Sequence, residues 1–160
     1  MTEQKNYLSV LMDSLQKKLQ VLDEVIQKNQ EQTELMQAER LDTEALDTNM
    51  DQKTVLIQRL NELDDGFEAV YERVKPELLQ HQAQYADEIH VLQDLISRIT
   101  DKSVSIQAAE ARNKQLAERQ FRFARQDIQQ ARTTTRAASD YYKAMGRNRI
   151  VSPQMLDEKK

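Results

Sequence analysis

From Leu56 the apolar positions of this chain run Leu56, Leu60, Leu63, Phe67, Val70, Val74 and Leu78, in steps of four, three, four, three, four and four. Alternating steps of three and four hold one narrow stripe of an α-helix toward a partner helix. A stripe of the same kind precedes it at Leu8, Met12, Leu15, Leu19, Leu22 and Ile26, widened by Leu11 and Val25. Another follows at Tyr85, Ile89, Leu92, Ile96, Ile99 and Ile106. Little in the chain can stop a helix, because it holds two glycines and two prolines and neither type occurs before Gly66. Gly costs a helix interior about 1 kcal/mol relative to Ala and Pro about 3 kcal/mol. The expected fold class is all-α, an elongated antiparallel helical bundle or coiled coil of about three long helices.

Residue chemistry sets the expected boundaries at about 2–41, 50–75 and 76–132. Beyond Lys28 the first stripe thins to Leu35, Met36 and Leu41, and Asp42, Thr43, Asp47, Thr48 and Asn49 then crowd together. Asp, Thr and Asn bond the free N–H groups at helix starts, so a turn is expected within 40–50 and a second helix by about Asp51. Asp64-Asp65-Gly66 reads as a turn in isolation, but the seam passes through it in phase from Leu63 to Phe67. Gly66 is therefore expected inside the helix, its missing side chain admitting a close neighbour. Pro76 suits the first position of a new helix, although one long kinked helix is the alternative. The last helix should weaken at Thr133-Thr134-Thr135, since β-branched Thr is a poor helix former. Residues 133–160 are then a partly helical or flexible tail punctuated by Gly146 and Pro153.

Composition narrows the function classes. Hydrophobic residues make up 39%, aromatics 5% and charged residues 31%, which suits seams between slender helices better than a thick core. With no cysteine, disulfide and thiolate chemistry are out of reach. The N-terminus lacks a basic region followed by an apolar run, and no stretch nears the roughly 20 apolar residues of a membrane span. A cytoplasmic protein without stable membrane insertion is expected. The net charge of −4 conceals a division along the chain. Residues 1–111 carry 11 basic and 22 acidic side chains, whereas residues 112–149 carry 10 basic and 3 acidic ones. The basic end either lies against acidic neighbours or meets an outside partner.

Enzyme chemistry lacks its parts. His81 and His90 are nine residues apart, which is neither of the helical spacings that pair metal ligands, and both read as solvated or seam-edge residues. Two glycines cannot form a phosphate loop. No nucleophile stands in a recognisable setting, and no cofactor is expected. Phe121-Arg122-Phe123 and the later arginines resemble a basic helix that could touch phosphates. The arginines are dispersed and the chain is acidic, so no nucleic-acid partner is expected. The tail, in contrast, holds Tyr141, Tyr142, Met145, Ile150, Val151, Met155 and Leu156 in an otherwise polar setting. These seven are the expected protein-binding residues.

The middle of the chain resembles the FlgN-type flagellar export chaperones. The likeness rests on Met50-Asp51-Gln52-Lys53, Leu56-Ile57, and the run from Leu60-Asn61-Glu62-Leu63 through Gly66-Phe67 to Tyr71-Glu72. Ser105-Ile106-Gln107-Ala108 and Ala137-Ala138-Ser139-Asp140-Tyr141-Tyr142-Lys143-Ala144-Met145 continue it, over roughly residues 45–146. The resemblance implies a small all-helical chaperone, not an enzyme, that holds hook-associated (hook–filament junction) proteins for the flagellar export apparatus. It implies client contact through the C-terminal part, around Tyr141, Tyr142 and Met145. A homodimer is compatible with the seams, and a scaffolding coiled coil is the alternative reading.

Overall fold

A computed structural model describes residues 2–123 and 128–147, and the described residues form four helices with no strand. These are α1 (Thr2–Gln37), α2 (Thr43–Gln80), α3 (Ala86–Phe123) and α4 (Ile128–Arg147). The all-helical class follows the seams, but the number of helices is four rather than three. The expected helix over 76–132 is replaced by α3 and α4, and Thr133–Thr135 lie inside α4 instead of ending a helix. An amphipathic face that is packed outweighs the small propensity penalty of Thr.

The first turn is earlier and shorter than expected. α1 ends at Gln37, and Asp42 caps α2, its Oδ1 accepting the Ala45 N–H at 3.0 Å. Asp47, Thr48 and Asn49, expected as turn residues, belong to the first two turns of α2. Pro76 neither starts a helix nor breaks one. It stands inside α2, which continues to Gln80 before the turn at 81–85.

α1 packs along both α2 and α3, and α4 packs on α2. Cross-helix pairs give the directions. Ser14 reaches the Leu63 carbonyl, Lys18 reaches Asp64, and Gln32 reaches Lys53, so α1 and α2 are antiparallel. Lys102 reaches Asp23 and Gln120 reaches the Met36 carbonyl, so α1 and α3 run the same way. The core is one continuous seam. Leu8, Leu11, Leu15, Leu19 and Leu22 of α1 meet Leu60, Phe67, Val74 and Leu78 of α2 and Leu92, Ile96, Ile99 and Ile106 of α3. Phe67 stacks on Tyr71 with centroids 5.8 Å apart, which thickens the seam near the middle of α2.

Gly66 sits within α2, as the in-phase seam requires, but not for the expected reason. A Cβ built there meets nothing within 4 Å, so no neighbour exploits the missing side chain. The glycine therefore only weakens the helix. Gly66→Ala should stabilise the protein by about 0.5–1 kcal/mol. In a chain of this size that raises the Tm by about 1–4 °C, readable by thermal circular dichroism.

Candidate functional site

Around Lys53, between Met50 and Ile57, the apolar seam changes character. On α2 the buried positions run Asn49, Met50, Lys53, Ile57, Leu60. On α1 they run Val25, Asn29, Gln32, Met36, and on α3 Ile106, Glu110, Asn113, Ala117. Asn49 aside, each set keeps the three- and four-residue steps of a seam, so a layer of polar groups occupies core positions on three helices at one level. Burying such groups is costly unless they find one another.

They largely do. The Lys53 ammonium lies 2.8 Å from Glu110 Oε1 and also donates to Gln32 Oε1. The side chain of Lys53 is fully buried and that of Glu110 nearly so. Asn113 donates to the Asn29 carbonyl at 3.0 Å and to Gln32 Oε1 at 3.2 Å, and its own oxygen accepts from Thr33 at 2.6 Å. Asn49 donates to the Lys28 carbonyl at 3.0 Å. The side-chain amide of Asn29 and Oε2 of Glu110 are buried with no hydrogen-bond partner in the protein.

α4 closes this layer. Tyr141 is completely buried, and its hydroxyl donates to Glu110 Oε1 at 2.8 Å. Its ring lies over the Lys53 ammonium, 4.0 Å from Nζ to the centroid. One side chain thereby meets both members of the ion pair, which belong to α2 and α3. Ala138 and Ala144 are buried beside it, one turn to either side. Burial pushes the Tyr141 phenol up, and the adjacent Glu110 carboxylate adds to the effect. Burial also holds the Lys53 ammonium down to about 8, against the opposing pull of Glu110.

The expected site residues divide accordingly. Tyr141 faces inward and, with α4 seated, has no surface to offer a partner. Tyr142 and Met145 are half-buried at the edge of the α4 interface, and the Tyr142 ring meets that of Tyr141 edge-on at 5.4 Å. Burial, with Glu110 and Glu118 nearby, raises the Tyr142 phenol as well. Ile150, Val151, Met155 and Leu156 lie outside the described residues. Lys53, Glu110, Gln32 and Asn113 were not expected as core residues. Their signal was the unbroken phase of the seam across polar positions, which reads as thinning when only apolar letters are followed.

The two histidines are exposed, and among the described residues no group of His, Asp and Glu could hold a metal ion. Among those residues no helix is long and apolar enough to cross a membrane. Of the basic side chains of residues 112–149, Arg112, Lys114, Arg119, Arg122, Arg136 and Lys143 are exposed. The chain matches the family described as FlgN protein over residues 1–150. No curated protein and no solved structure matches it.

Two outcomes test the polar layer. Lys53→Met leaves Glu110 buried and uncompensated, and should cost about 3–5 kcal/mol in urea unfolding, while Lys53→Met with Glu110→Met should recover most of that. The second outcome concerns pH. Because the folded state releases the Lys53 proton near pH 8 and the unfolded chain near 10.5, the unfolded state binds more protons between them. Stability should therefore rise with pH from about 8 to 10, relative to the double variant, by at most about 1.4 kcal/mol per pH unit. Above about 10 the raised Tyr141 phenol acts with the opposite sign, since the unfolded chain then loses the tyrosine proton first.

Proposed function

The chain belongs to the FlgN family, and on that premise we propose that it is a cytoplasmic chaperone of flagellar type III export. Its clients are hook-associated proteins of the hook–filament junction, which it keeps from assembling early and delivers to the export apparatus. The match over residues 1–150 carries this reading, because it spans all four helices rather than one seam. No chemical step is needed. Filament-type subunits carry amphipathic segments that become helical when paired with neighbours. A partner helix that covers the same stripe prevents premature pairing.

The C-terminal region is the proposed client contact, with separate parts for its residues. Tyr141 anchors α4 to the Lys53–Glu110 pair and so fixes how α4 is presented. Tyr142 and Met145, on the partly exposed edge of α4, touch the client, continued by Ile150, Val151, Met155 and Leu156. Met suits such a contact because its unbranched side chain fits differing surfaces.

The tagged chain, purified from its own cells, should bring down hook–filament junction proteins. Tyr142→Ala with Met145→Ala should weaken that capture about ten-fold or more, a loss of at least about 1.4 kcal/mol, while the helical circular-dichroism signal stays intact. Tyr141→Ala should instead lower the melting temperature, because it removes the anchor. Junction proteins absent from the wild-type eluate would refute the proposal.

A further inference from the structure

Among the described residues, α4 packs along only part of α2 and reaches α3 through Tyr141, so these residues leave the rest of the groove between α2 and α3 uncovered. The filled part is marked by Tyr141, which meets Lys53 of α2 and Glu110 of α3. It is also marked by a cavity that Thr54, Gln58 and Asn61 of α2 share with Asp140, Lys143 and Ala144 of α4. α4 ends at Arg147, one turn beyond Ala144. From about residue 64 to Gln80, for about 25 Å or between four and five helical turns, α2 therefore runs on with no described residue of α4 beside it.

The row of α2 that faced α4 continues along this open stretch. Stepping on from Asn61 by three and four, it reads Asp65, Glu68, Glu72, Pro76 and Leu79, all exposed. Leu79 stands 18 residues after Asn61, about five full turns, and so shares its face. On α3, Leu92 stands five turns before Glu110 in the same way. Around it Ile89, His90 and Gln93 enclose, with Leu78 and Leu79, a cavity of about 230 Å³. Leu79 is 43% exposed and Ile89 half-buried, so the groove offers an apolar floor at its far end. Its α2 rim is acidic. Of the nearby cations, Arg73 is turned away to the Tyr7 hydroxyl at 3.1 Å, and Lys75 is half-buried.

We infer that this open stretch is a docking groove for one amphipathic helix of the client, apolar on one face and flanked by Lys or Arg, lying end to end with α4. The inference rests on the chaperone reading and adds a second contact to it. α4 already lies as a helix on the same face of α2, and the site is the direct continuation of that interface. The rim of Asp65, Glu68 and Glu72 selects the charge of the incoming flank, since opposite charges across an interface steer encounter and fix register. The apolar floor of Leu79 and Ile89 supplies the burial that holds it.

The chain has no cysteine, so Leu79→Cys carrying a polarity-sensitive fluorophore reports on this groove alone. The probes are peptides tiling the terminal segments of hook–filament junction proteins from the same cells, together with those proteins intact. A Lys- or Arg-flanked amphipathic peptide should shift the emission to the blue and saturate, more tightly at low salt. Measured with intact junction protein, Leu79→Lys with Ile89→Lys should weaken binding about ten-fold or more. Glu68→Lys with Glu72→Lys, at exposed positions, should weaken it comparably and remove the salt dependence. Unchanged affinity in both variants overturns the groove and leaves the chaperone reading standing. A wild-type chain that binds neither peptides nor intact proteins overturns both. Emission already blue in the chain alone, or self-association abolished by Leu79→Lys, gives the groove to the chain itself and overturns the inference.

Discussion

The Lys53 ammonium has no route to water, so the protein must deliver every partner it needs. Glu110 comes from α3, Gln32 from α1 and the Tyr141 ring from α4, so all four helices converge on one charge. Apolar seams tolerate sliding by a turn, because one leucine replaces another at modest cost. A buried cation does not, because a slip leaves it facing hydrocarbon. The layer around Lys53 thus acts as the register mark for helices whose remaining contacts are interchangeable. Asn29, Asn49 and Asn113 extend it, as single polar residues do in coiled-coil seams.

Convergence on Lys53 also explains why so small a helix as α4 has a defined seat. Its buried residues beside Tyr141 are alanines, which bring little apolar area. The hydroxyl of Tyr141 and the face of its ring supply the specificity that bulk does not. The neighbouring Tyr142 and Met145 are left half-buried at the edge, where the proposed client contact lies apart from the anchor.

Much of this architecture is written in the spacing of apolar residues. The stripes from Leu8 to Ile26, Leu56 to Leu78 and Tyr85 to Ile106 became the core, and the passage of the seam through Gly66 correctly denied a turn there. Errors arose where one local signal was set against a tertiary contact. Pro76 and Thr133–Thr135 are poor helix residues, yet both lie within helices because packing of a whole face outweighs one or two unfavourable positions. Lys53 and Glu110 were missed because a charged letter within a seam looks like its end. Only the arrival of a complementary charge from 57 residues away makes such a position tenable. The apolar character of Tyr141 was legible, but whether it turned inward depended on that same distant pair.

Pro76 leaves a small chemical mark on α2. A residue without an N–H cannot bond the carbonyl four positions earlier, so the main-chain oxygen of Glu72 lacks its customary donor within an otherwise continuous helix. That oxygen belongs to Glu72, the exposed last residue of the acidic rim, seven positions before Leu79. Here the polypeptide backbone itself, and not only its side chains, carries a hydrogen-bond acceptor without its helical partner.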